Sequence, residues 1–444
     1  MAIYNVYIED GEMEASIVED EFNENQDGGS HFEVGDGTIV VSGATRAYVV
    51  VTLGTDYELE SGIFLGGQHD RNKPTQKSDI DDVRIKVEED MNKIIDLTSG
   101  LDVTSAYSLL RERHLEDYQE LFNRVSFELE YDPDDLEVTT DALQFRASIG
   151  QVGKYLESLF FQYGRYLLIA SSRHGTLPAH LQGAWNCYDI PPWSSGYWHN
   201  INVQMNYWSA FTTNLAETFD AYVDFNKAYM EQAEYVASNE VRYSNPDMYG
   251  ADGGNGWTIV VANNAMFINS DSSSGNMAFT TQSFWDYYAY TLDEEVLENT
   301  YKVLANAARF ITKFVKQYED GYYLVMHADS PEQHVNGVWY KTVGPTYAQS
   351  LSYLNNYYTL LAAKEMGIDL EDSNLLSQEE YSILSIILEQ IDLYDPINVG
   401  LSGQVKEFRE ENYYGELGDP SHRHISQLVG LYPSVFITKS TSSF

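Results

Sequence analysis

From Ala147 onward, apolar residues recur at helical spacing over long stretches. Val152, Tyr155, Leu156, Leu159, Phe160, Tyr163, Tyr166 and Leu167 make one stripe. Leu297, Tyr301, Leu304, Ala308, Ile311, Phe314 and Val315 make a second, and Tyr347, Leu351, Leu354, Tyr358 and Leu361 a third. Stripes of this length predict amphipathic helices. Ser377 with Glu380 reads as a capping box opening a further helix towards Ile391. Between the stripes lie long loops rich in Trp, Tyr, Asn, Gly and Pro. Long helices alternating with such loops suggest helical hairpins arranged in a ring. Periodicity alone yields only an all-α domain after a β domain.

The chain before this point reads differently. Gly37–Val41 and Ala47–Leu53 are short runs heavy in β-branched residues, so residues 1 to about 100 read as strand-rich. Turn chemistry brackets them at Asp27–Ser30, Gly35–Gly37 and Gly54–Asp56, and Gly66–Ile80 reads as a polar loop. Ser105–Arg124 carries Leu109, Leu110, Leu115, Tyr118, Leu121 and Phe122 at helical spacing and links the two parts.

Composition narrows the function classes. With 68 Asp+Glu against 26 Lys+Arg, the 444-residue chain has a net charge of −42. Such a field repels phosphate backbones and anionic lipid surfaces, so nucleic-acid binding is not expected. No apolar run is long enough to span a bilayer, so neither is membrane insertion. It is compatible with a neutral, sugar-like substrate. Net charge speaks to solubility rather than mechanism. A salt-rich or acidic extracellular setting and a plain bias in residue usage both account for it. Cys187 is the only cysteine, which leaves no disulfide framework and no Cys-based zinc site. Met1–Ser16 has neither a basic start nor an apolar core of the secretory type. An extracellular or periplasmic setting is still expected, with no signal peptide in this chain.

Three segments are dense in polar and aromatic side chains. Ser171–Glu217 holds Trp185, Trp193, Trp198 and Trp208, with Asn186, Asn200, Asn202, Gln204 and Asn206. Sugars need aromatic platforms for their C–H faces and rigid amides for their hydroxyls. The alternative is that the Trp residues are core and the Asn residues shape turns. The second segment is His327–His334. Its Glu332, beside Pro331, has the chemistry of a general acid, though a surface Glu fits the spacing equally well. The two histidines, seven residues apart on a loop, match no metal-ligand pattern. The third is Gly418–His424, where Arg423 and His424 either meet sugar hydroxyls or open a helix capped by Asp419 or Ser421.

Taken together and in this order, these segments resemble glycoside hydrolase family 95. The resemblance is carried by Gly175–Ala179, Leu181–Gly183, Trp185–Asn186, Pro191–Trp193, Asn200–Asn202 and Gln204–Trp208. It continues through Ser330–Glu332, Gly344–Thr346, His422–His424 and Gly430–Pro433. It implies a mainly α chain: an (α/α)6-barrel catalytic domain over 141–444, preceded by part of a β-sandwich over 1–100 and a helical linker over 101–140. It implies inverting hydrolysis of terminal α-L-fucosides, typically α-1,2-linked to galactose, on a fucosylated oligosaccharide or glycan. Some relatives act on α-L-galactosides. No metal or organic cofactor is expected. Glu332 then corresponds to the acid, and Asn200 and Asn202 to the amides that hold the water. Trp193, Trp198, His199, Trp257, Arg423 and His424 correspond to sugar contacts. The family's Asp that polarises one Asn follows the His-Arg-His segment, and this chain has no such motif. The reading is therefore of a fragment, lacking the last barrel helices and that Asp, with an inactive sugar-binding piece as the alternative. Val260–Asn264 also stands where a His-rich stretch is expected.

Overall fold

A computed structural model describes residues 2–18, 36–59, 62–65, 80–151, 153–188, 191–269 and 273–439. The expected turn at Asp27–Ser30, Gly35, nearly all of the Gly66–Ile80 loop and Val152 of the first stripe lie outside the described residues. The chain divides into two compact units: Met1–Glu58 with Gln76–Asn123, and Leu59–Thr75 with Arg124–Phe444.

The smaller unit is built on two antiparallel ladders. β1 (Ala2–Glu9) pairs with β4 (Arg46–Leu53), and β2 (Glu12–Val18) with β3 (Asp36–Ser42). Tyr7 and Tyr48 are cross-strand partners, and their rings stack 4.6 Å apart. Gly11, at φ +75°, turns β1 into β2; a Cβ there would meet Ser42 O at 2.3 Å. The strand-rich reading does not extend to Ile80–Thr98, which is helix α1. Val83, Val87 and Met91 explain it: four apart, all buried, they give the segment one apolar face. Helix α2 (Val103–Phe122) follows, with the Asp102 side chain accepting from Ser105 N–H.

The larger unit is helical. It runs through α3 (Thr140–Ser148), α4 (Lys154–Ser171), α5 (Asn202–Thr212), α6 (Asp220–Ser244), α7 (Ser274–Thr291), α8 (Glu294–Phe314), α9 (Thr346–Glu365), the single turn α10 (Ser373–Leu376) and α11 (Ser382–Gln390). Helices α7, α8 and α9 pack on one another. Trp285 of α7 stacks on Tyr358 of α9 with ring centroids 4.9 Å apart, and a Cβ at Gly275 would meet the Tyr347 ring at 2.7 Å. The stripes on α8 and α9 are buried as expected, including Leu304, Ile311, Leu351 and Leu354. That of α4 is not. Phe160 is 78% and Leu167 48% exposed, because the helix turns Arg165, Leu168 and Ile169 inward instead. The capping box does not form. Ser377 ends α10, with its hydroxyl donating to Asn374 O, and α11 begins only at Ser382.

Short strands carry the loops between helices. β5 (Tyr197–Trp198), β6 (Ala262–Asn264) and β7 (Phe267–Ile268) form a three-stranded sheet, and β8 (Val315–Gln317) pairs with β9 (Tyr323–Val325). β10 (Ala328–Val335) and β11 (Val338–Thr342) form an antiparallel hairpin whose register slips between Asp329 and His334. Among the described residues no helix is long and apolar enough to cross a membrane.

Candidate active site

The Trp- and Asn-rich segment divides its labour. Asn206 Nδ2 donates to Ala179 O at 3.0 Å, and Gln204 Nε2 donates to His199 O at 2.8 Å. Asn186 Oδ1 accepts from Tyr188 N–H at 2.9 Å. Asn186 thus shapes a turn, while Gln204 and Asn206, on α5, brace loop carbonyls. Trp208 is core-like, edge-on to Tyr432 at 4.7 Å. Asn202, Trp193 and Trp198 face a cavity instead.

That cavity, of about 790 Å³, is lined by Leu181, Trp193, Trp198, Asn202, Glu332, His334, Trp339, Asp419, His422 and Arg423. Five residues singled out from the sequence therefore meet in one cleft: Glu332, Asn202, Arg423, Trp193 and Trp198. A smaller cavity of about 300 Å³ shares Trp198, Glu332 and Trp339 with it and adds Asp329, Lys341, Ser274 and Asn276. Glu332 thus stands on a wall common to both.

Glu332 rides on β10 and is about a quarter exposed. Arg423 Nη2 donates to its Oε2 at 2.6 Å, and His422 Nε2 lies 3.8 Å from the same oxygen. The segment bearing them is not a helix start. Asp419 Oδ1 accepts from Ser421 N–H at 2.8 Å, and His422 Nδ1 accepts from His424 N–H at 3.1 Å. These turns keep the backbone irregular up to a short 3-10 helix at Ser426–Gly430. The same stretch grips β10. Ser426 Oγ donates to Pro331 O at 2.5 Å, and Asp419 N–H donates to Gln333 Oε1 at 2.8 Å.

Four expected site residues do not line the cleft. Trp257 is fully buried, its indole N–H donating to Val303 O at 3.1 Å. His199 is fully buried, 2.9 Å from the Tyr222 hydroxyl through Nε2 and 3.2 Å from Asn263 Nδ2 through Nδ1. The alternation along β5 explains this, since Tyr197 and His199 point inward and Trp198 does not. Asn200 is 3% exposed, and its Nδ2 has no acceptor among the described residues. His424 is half-buried, its ring edge-on to His422 at 4.9 Å; burial holds it below the usual histidine range.

The sequence reading missed Trp339 and Asp329. Trp339 is the cross-strand partner of His334, with ring centroids 4.3 Å apart. Hairpin pairing was the signal, because Trp339 stands directly opposite His334, which shares a face with Glu332 two residues before it. Asp329 faces Lys341 across the hairpin; burial raises its carboxyl, and the Lys341 charge offsets part of that rise. No group of three or more metal-ligating side chains occurs among the described residues.

Burial lowers His199 to about 4. An unfolded histidine takes up its proton near pH 6.5, so between these values the unfolded chain binds more protons and stability falls as pH drops. The effect should reach roughly 2 kcal/mol at pH 5. His199→Gln is expected to flatten that acid limb in urea midpoints measured from pH 7 to 4.5. An unchanged slope would show that the ring titrates normally in the folded chain.

Comparison with known proteins fits this geometry. Residues 106–444 match the model of the glycosyl hydrolase family 95 catalytic domain. "Alpha-L-fucosidase 2" of Arabidopsis thaliana is 31% identical over 76% of this chain and 39% of its own length. "Probable alpha-fucosidase A" of Aspergillus niger is 31% identical over 75% of this chain and 40% of its own. The chain thus spans about two fifths of the length of these relatives. A solved structure from the human microbiome, named for a kojibiose phosphorylase, superposes with a TM-score of 0.50 over 89% of this chain and 45% of its own, at 11% identity. That likeness concerns the fold alone, and it agrees with an (α/α)6-barrel class for the helical unit.

Proposed function

Because this chain belongs to glycoside hydrolase family 95, we propose that it cleaves terminal α-L-fucosyl residues from oligosaccharides or glycans, α-1,2-linked to galactose, with inversion. The observation that carries the reading is the single cleft uniting Glu332, Asn202, Arg423 and two tryptophans. Such a cleft offers an aromatic floor for a sugar's apolar face, an acid for the leaving oxygen and an amide to hold a water.

In this reading Glu332 gives its proton to the departing galactosyl oxygen. Asn202, backed by Asn200, holds the water on the opposite face of the fucose ring. Trp193 and Trp198 stack on the sugar, and Arg423 exchanges its contact with Glu332 for a sugar hydroxyl. An amide is a weak base, so inversion needs a carboxylate on the water's side. Asp419, the other carboxylate lining the cleft, is the candidate within this chain. Released fucose from 2′-fucosyllactose, with the β-anomer appearing first by NMR, is the expected result. The α-anomer first would refute inversion, and a higher rate on an α-L-galactoside would reassign the sugar. Arg423→Ala should raise KM about tenfold or more, the usual cost of losing a charged hydrogen bond. A normal KM would remove Arg423 from the subsite.

A second reading has one observation behind it. The buried Nδ2 of Asn200 has no acceptor among the described residues, where the proposed chemistry calls for a polarising carboxylate. A chain that binds the sugar without hydrolysing it fits that gap. Quenching of Trp fluorescence by 2′-fucosyllactose with no fucose released would favour it.

A further inference from the structure

Glu407 is a carboxyl only 2% exposed, outside the cleft, with no ion pair among the described residues. The cations nearest in sequence are engaged elsewhere. Lys406 Nζ donates to Arg409 O at 3.2 Å, and Arg409 is paired with Asp395 and Asp320. Glu407 Oε1 accepts from Ser330 Oγ, itself fully buried, while Oε2 has no partner among the described residues. Burial pushes the carboxyl up to about 7; the bond from Ser330 opposes that rise and the Glu411 charge adds to it. Packing alone does not call for an acid here, since a buried carboxyl costs more than a neutral side chain of similar volume.

The mount of this carboxyl is firm. Its own carbonyl accepts from Thr346 N–H at the start of α9 (3.1 Å), and its N–H donates to Glu411 Oε2 (3.0 Å). The next residues clasp the other strand of the hairpin. Phe408 lies edge-on to Tyr340 at 4.9 Å, and Glu410 Oε1 accepts from the Tyr340 and Thr342 hydroxyls, both at 2.6 Å. Ser330 stands two residues before Glu332 on β10.

We propose that Glu407 is a positioning residue for the proton donor, anchoring β10 through Ser330 so that Glu332 keeps its place on the cleft wall. This rests on the reading of Glu332 as the acid. The anchor is a hydrogen-bond acceptor rather than a charge, so Gln should serve and Leu should not.

The test compares Glu407→Leu, Glu407→Gln, Ser330→Ala and the Ser330→Ala/Glu407→Leu pair in the full chain. Rates on 2′-fucosyllactose are measured alongside amide hydrogen exchange at Ala328–Val335. Glu407→Leu and Ser330→Ala should each lower kcat about 10- to 100-fold, with KM little changed, as expected for an acid displaced by a fraction of an ångström to an ångström. Glu407→Gln should restore most of the rate. The double variant should be no worse than the poorer single one, since both remove one bond. Exchange at Ala328–Val335 should quicken in both single variants and no further in the double. Undiminished kcat and unchanged exchange in Ser330→Ala, or losses that multiply in the double variant, would overturn the proposal. If the unmodified chain releases no fucose, the fucosidase reading falls. The exchange data then decide the anchor by themselves, quickened exchange supporting it and unchanged exchange refuting it.

Discussion

Glu332→Gln is expected to lower kcat on 2′-fucosyllactose about a thousandfold, within the range that general acids contribute. Gln keeps the shape of Glu and can still accept the bond that Arg423 donates to Glu332 Oε2. It has no proton to give. The loss should therefore track the basicity of the leaving group. A galactosyl alkoxide needs protonation as the bond breaks, whereas a nitrophenolate scarcely does. An aryl fucoside should thus lose far less rate than 2′-fucosyllactose in the same variant, provided the chain accepts both. Binding of 2′-fucosyllactose, followed by Trp fluorescence, should survive. Equal losses on the two substrates would point to a damaged cleft, and an unchanged rate on 2′-fucosyllactose would take the proton-donor role from Glu332.

Trp257→Ala is expected to destabilise the helical unit by about 3–5 kcal/mol, the usual cost of removing a large aromatic from a closed core. Resemblance assigns this residue to the sugar, yet its ring is fully buried and its N–H is spent on Val303 O. Tyr229 lies against it at 6.1 Å between ring centroids, and a Cβ on the preceding Gly256 would meet Asn306 O at 2.3 Å. The chain here is wedged against α8 with no slack to close a cavity. Urea unfolding should show the loss, with Trp257→Phe retaining much of the stability. A folded Trp257→Ala chain of undiminished stability that no longer bound 2′-fucosyllactose would reverse this and return Trp257 to the sugar.

The contrast between Trp257 and Trp198 shows where sequence reading stops. Both are tryptophans among small and polar neighbours. Which one reaches a cavity depends on strand alternation at β5 and on the close approach of Gly256 to α8, and neither is a composition signal. The helices were legible where burial and periodicity agree, as on α8 and α9. They were less so on α4, whose most apolar face stays exposed. The Ser377/Glu380 capping box failed because Asp372 already caps α10 just upstream, accepting from Asn374 and Leu375 N–H, and the chain has to finish that turn before α11 can begin. Ordered motifs indicated which residues belong together. They did not indicate that His199 and Asn200 would stand behind the cleft, with Asn202 on its wall.

The grip of residues 407–426 on β10 also sets an order of events on the ribosome. Ser330, Pro331, Glu332 and Gln333 each find their partner 77 to 95 residues later in the chain. Helices α7, α8 and α9 pack on one another from a continuous stretch ending at Glu365 and can associate as soon as they emerge. These partners of β10 come only with residues 407–426. A nascent chain stalled before Glu407 would hold most of its helices but not the partners of β10, so under the proposed function activity would be acquired in a late step that leaves helical content nearly unchanged.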